Sequence, residues 1–383
     1  MRTPIIFFAL ALASLCCKRP ADATPAQPAT TPATTPATTP ATTPATSPPA
    51  VDADKVVHQE ALQERTTTLE LQRALAEART HDDLGRFRDL EQRADAALVN
   101  HPGSRPLLHI RVSALLALGR AKDALIDARA LARTDEQDAI AAGLLSDALL
   151  ATGDVPGAIV AVEKMMDLAP ALPSYARVAQ LRFAIGDVPG SLQMWQEALL
   201  AGHKSQPEGL AFCHTGTADA LLNGTDDLAA ALKAYDAALR AIAAYPMARL
   251  GRARVHLAQG RAKDALVDLD AIEAEARTAE SAALRAAVLA SLGRAVKDQD
   301  LKAQLQGLVE HDPTEAALAL AVRNLDLPLA RTLLEKRVQE AGSLLDTAAL
   351  AYVLSRGDEA ARTQSTAYAR EATSSGTVST PVT

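Results

Sequence analysis

The chain has 383 residues, 48% of them apolar and 22% charged, so it is long and apolar enough to bury a core across more than one domain. Its formal net charge of −7, with no cluster of Lys and Arg, excludes a nucleic-acid surface built on phosphate contacts. Aromatics are only 3% and alanine and leucine dominate, which favours helix over a sandwich or barrel.

Residues 1–17 open with Arg2 and then run uncharged from Thr3 to Cys17. That run is shorter than the roughly 20 apolar residues a spanning helix needs, and it suits the apolar region of a secretory signal. Its end, Leu12-Ala-Ser-Leu-Cys-Cys17, resembles a bacterial lipobox. The resemblance implies lipid on Cys16 or Cys17, and leaves the choice of cysteine open. Neither cysteine is followed by Asp, which in that family implies the outer membrane; a periplasmic or extracellular site is the alternative. A conventionally cleaved signal and an uncleaved apolar helix also remain open.

Residues 18–54 form a linker. Ala-Thr-Thr-Pro repeats four times from Ala29, and no charge falls between Ala23 and Val51. Proline at every fourth position forbids helix and predicts an extended polyproline II spacer. After lipobox-like cysteines, such a spacer suits a stalk.

From residue 55 to 372 a small turn residue returns at Gly85, Gly119, Gly153, Gly186, Gly224, Gly260, Gly293, Asn324 and Gly357. The intervals are 34, 34, 33, 38, 36, 33, 31 and 33 residues. A fixed period of 20–50 residues predicts a solenoid. Helical stripes flank each turn, for example Ile140, Leu144, Ala148 before Gly153 and Ile159, Val162, Met166 after it. Asp154 and Asp187 stand as N-cap candidates, and Thr225-Asp-Asp227 reads as an N-cap with first-turn acids rather than a metal site. Each unit is therefore helix, tight turn, helix, and residues 373–383 are expected to be a disordered tail.

Several turns continue in kind: Gly119–Leu125 and Gly260–Leu266 both read GRAKDAL, and Gly153 and Gly186 both open GDVPG. Ala124, Ala158, Ser191, Ala231 and Ala265 supply a small residue after the turn, Trp195 and Tyr235 an aromatic four further on, and Ala238 an alanine three beyond that. Pro102 and Pro170 close units. This pattern resembles the tetratricopeptide repeat, in a degenerate alanine-rich form without that family's first-helix Trp. The resemblance implies an all-α, right-handed superhelical solenoid of eight or nine hairpins. Trp195 is expected in the core, and Arg120 and Lys122 on exposed helix starts.

Chemistry is sparse. Cys213 is the one cysteine outside the leader, which excludes a disulfide framework for the repeat region. It adjoins His214, but neighbours on a helix point about 100° apart and are poorly placed to share a proton; a buried Cys beside a groove-facing His explains both. No zinc spacing, phosphate loop, nucleophile elbow or dinucleotide fingerprint occurs. The expectation is a non-enzyme without metal, cofactor or small-molecule substrate.

In tetratricopeptide superhelices the first helix of each pair lines an inner groove. Carried over, the groove residues are His109, Ser113, Asp147, Gln180, His214 and Arg254. The paired Lys and Asn of the family's carboxylate clamp are not at these positions. The chain is thus expected to be a protein-binding scaffold of the cell envelope, anchored by lipid. A soluble periplasmic or exported helper in folding, assembly or secretion is the alternative; an enzyme centred on the degraded C-terminal units is a further one.

Overall fold

The computed structural model describes residues 53–81, 83–272, 277–310, 312–341 and 343–376. The signal, lipobox and Thr/Pro stalk lie outside them apart from the stalk's last two residues, and so does most of the expected tail. Among the described residues there are eighteen α-helices and no strand.

The helices pair in chain order into nine hairpins. These are α1 (Ala53–His81) with α2 (Leu84–Asn100), α3 (Arg105–Ala117) with α4 (Ala121–Thr134), and α5 (Ala139–Ala151) with α6 (Val155–Leu168). Next come α7 (Leu172–Ala184) with α8 (Val188–Ala201), α9 (Pro207–Ala220) with α10 (Leu228–Ala241), and α11 (Pro246–Ala258) with α12 (Ala262–Asp270). The last three are α13 (Ala279–Ser291) with α14 (Asp298–Leu308), α15 (Pro313–Val322) with α16 (Leu327–Glu340), and α17 (Leu344–Ser355) with α18 (Glu359–Gly376). Together they form a right-handed superhelical solenoid.

The turns explain the period. Gly153 has φ 88°; its amide donates to the Leu150 carbonyl at 3.0 Å, and the Asp154 amide donates to Leu149 at 2.8 Å. These two bonds satisfy carbonyls that the helix end would otherwise leave open, and the left-handed residue between them favours glycine. The same pair recurs at Gly119, Gly186, Gly260, Gly293 and Asn324, all at positive φ. Asp154, Asp187, Asp227 and Asp326 then cap the following helix by accepting an amide in its first turn.

Three members of the glycine series behave differently. Gly85 lies inside the first turn of α2, after its N-cap Asp83. Gly224 sits in a π-turn, Leu221–Thr225, and Asp226 takes the left-handed conformation (φ 57°) instead. That extra winding accounts for the 38-residue interval before it. Gly357 occupies its turn without positive φ.

Packing is between neighbours. Ala124, Ala158, Ser191, Ala231 and Ala265 are completely buried, so the two helices of a hairpin approach closely there. The aromatics then reach into the next hairpin. Trp195 on α8 lies over Gly216 of α9 and meets Phe212 edge-on at 5.7 Å. Tyr235 on α10 lies over Gly251 of α11. Cys213 is buried among these groups, and burial pushes its thiol up to about 12.

A Cβ at Gly216 would stand 2.3 Å from the Trp195 ring, whereas one at Gly307 would meet nothing within 4 Å. Gly216→Ala should therefore cost about 1–3 kcal/mol by overpacking. Gly307→Ala should be neutral or gain up to about 1 kcal/mol from helix propensity. Urea melts of the two variants check this, and equal midpoints would contradict it.

Candidate binding lumen

The first helices of the hairpins face inward. Ser113, Asp147, Gln180 and Arg254 each stand nine residues after the N-cap of their helix, namely Ser104, Asp138, Ala171 and Tyr245. Equal register on parallel-stacked helices places them in one row. His109 lies one turn earlier on α3. His214 stands one residue before the register position of α9, which Thr215 fills, its hydroxyl donating to the Ala211 carbonyl at 2.8 Å.

Most of the row is engaged. The His109 ring bonds Asp138 at 2.8 Å, and Arg105 reaches Asp138 at 2.5 Å and Asp135 at 2.7 Å. Burial lowers the pKa of His109 against the pull of Asp138, so the ring is neutral at pH 7. Burial also works to raise Asp138, but the Ala141 amide, Arg105 and His109 outweigh it and hold the carboxyl below its usual range. Asp147 accepts from Arg177 Nε at 2.9 and 3.0 Å. The Ser113 hydroxyl donates to His109 O at 2.9 Å and accepts from Arg79 at 3.3 Å. Gln180 is exposed, and His214 is half-buried with its pKa lowered by burial and by Arg240.

The lumen is narrow. Arg79, Asp147, Arg177 and Glu208 come from four different hairpins, yet Arg79 feels the charges of the other three. Burial depresses the pKa of this guanidinium, and burial raises that of Glu208 despite Arg79 beside it.

A second charge cluster lies farther along. Arg254 pairs with Glu280, and the Glu280 amide donates to Glu315 at 3.4 Å. Tyr235 donates to Asp219 at 2.5 Å, beside the same guanidinium. Beyond Glu315 stand Asp312, Arg337 and Asp346, the last accepting from the Thr314 hydroxyl at 2.5 Å. Burial raises Asp219 and Asp312 above the carboxylate range. Burial, with Asp312 and Glu280 alongside, raises Glu315 well above it.

Two clamps escaped the sequence reading. Arg111 bridges Asp95 of α2 and Asp127 of α4, both at 2.5 Å. Arg252 bridges Asp236 of α10 at 2.8 Å and Asp268 of α12 at 2.5 Å. In both, the arginine stands seven residues after its N-cap and ties the second helix of its own hairpin to that of the preceding one. The signal was present: an Asp two residues past each GRAKDAL, with an Arg sixteen before it and another Asp sixteen before that. Among the described residues, no group of three or more His, Cys, Asp or Glu could hold a metal ion, and no helix is long and apolar enough to cross a membrane.

No known family's sequence pattern matches the chain, and no curated protein matches it in sequence. Solved structures do match. The Cut9–Hcn1 hetero-tetramer of the APC/C is similar with a TM-score of 0.51 and 12% identity, over 79% of this chain and 60% of that one. The present chain thus spans about three fifths of that relative's length. PilW, a type IV pilus biogenesis factor, has a TM-score of 0.45 and 14% identity over 56% of this chain and 98% of its own. A tetratricopeptide repeat protein from Parabacteroides merdae has 0.43 and 14% over 67% and 99%. The first likeness establishes the tetratricopeptide-type fold, and nothing further rests on the other two.

An acid whose folded pKa lies above its unfolded one holds more protons folded than unfolded between the two values. The stability associated with it is present below the unfolded value, 4.5 for Glu315, and is lost as pH rises through the folded value. Glu315→Gln should therefore flatten the fall in melting temperature as pH rises above 4.5. A fall as steep as that of the parent chain would contradict the burial of this carboxyl.

Proposed function

We propose that the chain is a non-catalytic protein-interaction scaffold of the cell envelope, held to the outer membrane by lipid on Cys16 or Cys17. Its binding surface is the concave face, and the observation that carries this reading is the row of Ser113, Asp147, Gln180 and Arg254. A row of one residue per hairpin matches an extended segment running along the superhelix axis. Alternating small, acidic, amide and basic groups would read such a segment by charge and hydrogen bonding, with His109 and His214 flanking. Because Asp147 and Arg254 are already ion-paired, a partner has to exchange those pairs rather than fill vacancies. Such exchange favours selectivity over raw affinity.

The enclosing stack of hairpins supports a scaffold over an enzyme in one further respect. Two of the perturbed carboxyls sit at hairpin joints: Asp219 accepts from Tyr235 beside Arg254 of the next hairpin, and Glu315 accepts from the Glu280 amide of the preceding one.

A photo-crosslinking residue at exposed Gln180 should capture one defined partner in cells. The same residue at Ile126, exposed on a second helix, should not. Capture of the same set from both positions would sink the concave-face reading. Palmitate labelling should disappear in Cys16→Ala or in Cys17→Ala, and labelling retained in both single variants and in the double variant would refute the lipid anchor.

A further inference from the structure

The superhelix meets itself. Arg88 on α2 donates to the Glu310 carbonyl at 2.9 Å, which joins hairpin seven to hairpin one. Lys122 donates through Nζ to the Gln339 carbonyl at 3.1 Å and through its amide to Ala341 at 3.3 Å, which joins eight to two. Arg337 donates to the Gly119 carbonyl at 3.1 Å from the other side. Helix α17 lies against α5, joining nine to three. One superhelical turn therefore takes six hairpins.

Two properties set this seam apart from the joints between successive hairpins among the described residues. None of the seven apolar clusters crosses it: the cluster from Ala279 onward shares no residue with those holding Leu71 to Leu149. And all four hydrogen bonds named across it end on main-chain carbonyls. Two of them, from Arg88 and from the Lys122 ammonium, are exposed, and such bonds are worth about 0.5–1.5 kcal/mol each. The hairpin-to-hairpin joints are held by buried apolar side chains, so the seam is the joint that yields first.

The seam also completes a helix start that its own sequence leaves open. The N-cap of α4 is Arg120, which makes no side-chain cap bond, so first-turn amides of α4 lack a local partner. The Ala341 carbonyl takes one of them. The second GRAKDAL has the same uncapped start, at Arg261, but a Cβ at Gly260 would meet nothing within 4 Å. At Gly119 a Cβ would stand 2.7 Å from the Arg337 guanidinium. The contact therefore belongs to the superhelical turn and not to the heptapeptide.

We propose that this seam is a latch along which the superhelix opens, with Arg337 as the residue that holds it shut. The side chain of Arg337 is mostly buried; it neutralises Asp346 at 3.4 Å on its own side while reaching Gly119 on the other. Opening widens the lumen, because small rotations at successive hairpin joints add along a solenoid. If a partner binds the concave face, as proposed above, the latch controls its access; the latch itself does not depend on that reading.

The two copies of GRAKDAL supply the measurement. Identical sequence gives the Lys122 and Lys263 amides nearly the same intrinsic exchange rate, so differences report structure. Hydrogen exchange on the full chain should show Lys122 protected at least tenfold more than Lys263. Arg337→Ala should erase that difference while exchange in the Trp195 core stays slow, and small-angle scattering should show a larger radius of gyration. The double variant Arg88→Ala with Lys122→Ala removes seam donors without stranding a buried charge, and should expand the chain likewise. Equal protection in the parent chain would overturn the proposal. So would a protection difference and radius unchanged in both variants. General loss of protection in Arg337→Ala leaves the decision to the double variant, whose unchanged radius would overturn it.

Discussion

Each hairpin in this chain has an apolar face that its own two helices cannot cover. The face is covered only when the next hairpin stacks on it, as when Tyr235 of one lies over Gly251 of the next. Stability is then a sum of neighbour terms, and the shape follows from repeating one joint. Small residues such as Ala158 and Ser191, fully buried beside the turn, fix how closely the helices approach. Repeating that joint six times brings hairpin seven back to hairpin one, at Arg88 and Glu310. The lumen, its row of side chains and the seam are all consequences of it.

A lumen this narrow forces its polar residues to find partners across hairpins. Desolvated charge is costly unless paired, and the pairs here join different units: Asp147 with Arg177, Arg254 with Glu280, Arg337 with Asp346. The Asp–Arg–Asp clamps of Arg111 and Arg252 do the same between second helices. Such pairs contribute little net free energy beside the apolar joints. They fix register, since a slipped hairpin would strand a carboxylate such as Asp268, which is 1% exposed.

The hairpin fold was readable because it is local. Turn glycines, Asp caps and post-turn alanines sit within a dozen residues of one another, and each acts on its own neighbourhood. The exceptions are local too: around Gly224 the chain extends the preceding helix by a five-residue π-turn, and the period alone cannot say which residue then goes left-handed. Of the residues counted from the turn, Ser113, Asp147, Gln180 and Arg254 share one register, while His109 stands one turn earlier and His214 one residue before it, in the hairpin with the irregular turn. What the period does not contain is the charge partner of each row residue, since Arg177 and Glu280 answer to a neighbouring hairpin's geometry.

GRAKDAL makes the boundary of sequence reasoning concrete. Both copies form the same left-handed turn, and in both the leading arginine pairs with the aspartate three residues on. Both carry the downstream aspartate of an arginine clamp. Everything within about one hairpin is therefore the same in the two. They part company over Lys122, whose amide and ammonium reach carbonyls about 220 residues away, at Gln339 and Ala341. A repeat encodes its contacts with the previous and next unit because those recur with the period. A contact one superhelical turn away depends on the accumulated twist of every joint between, so no single copy can specify it. The feature that distinguishes the two copies is thus the one most sensitive to small changes of shape, and any change in superhelical pitch registers first at Lys122 and Arg337.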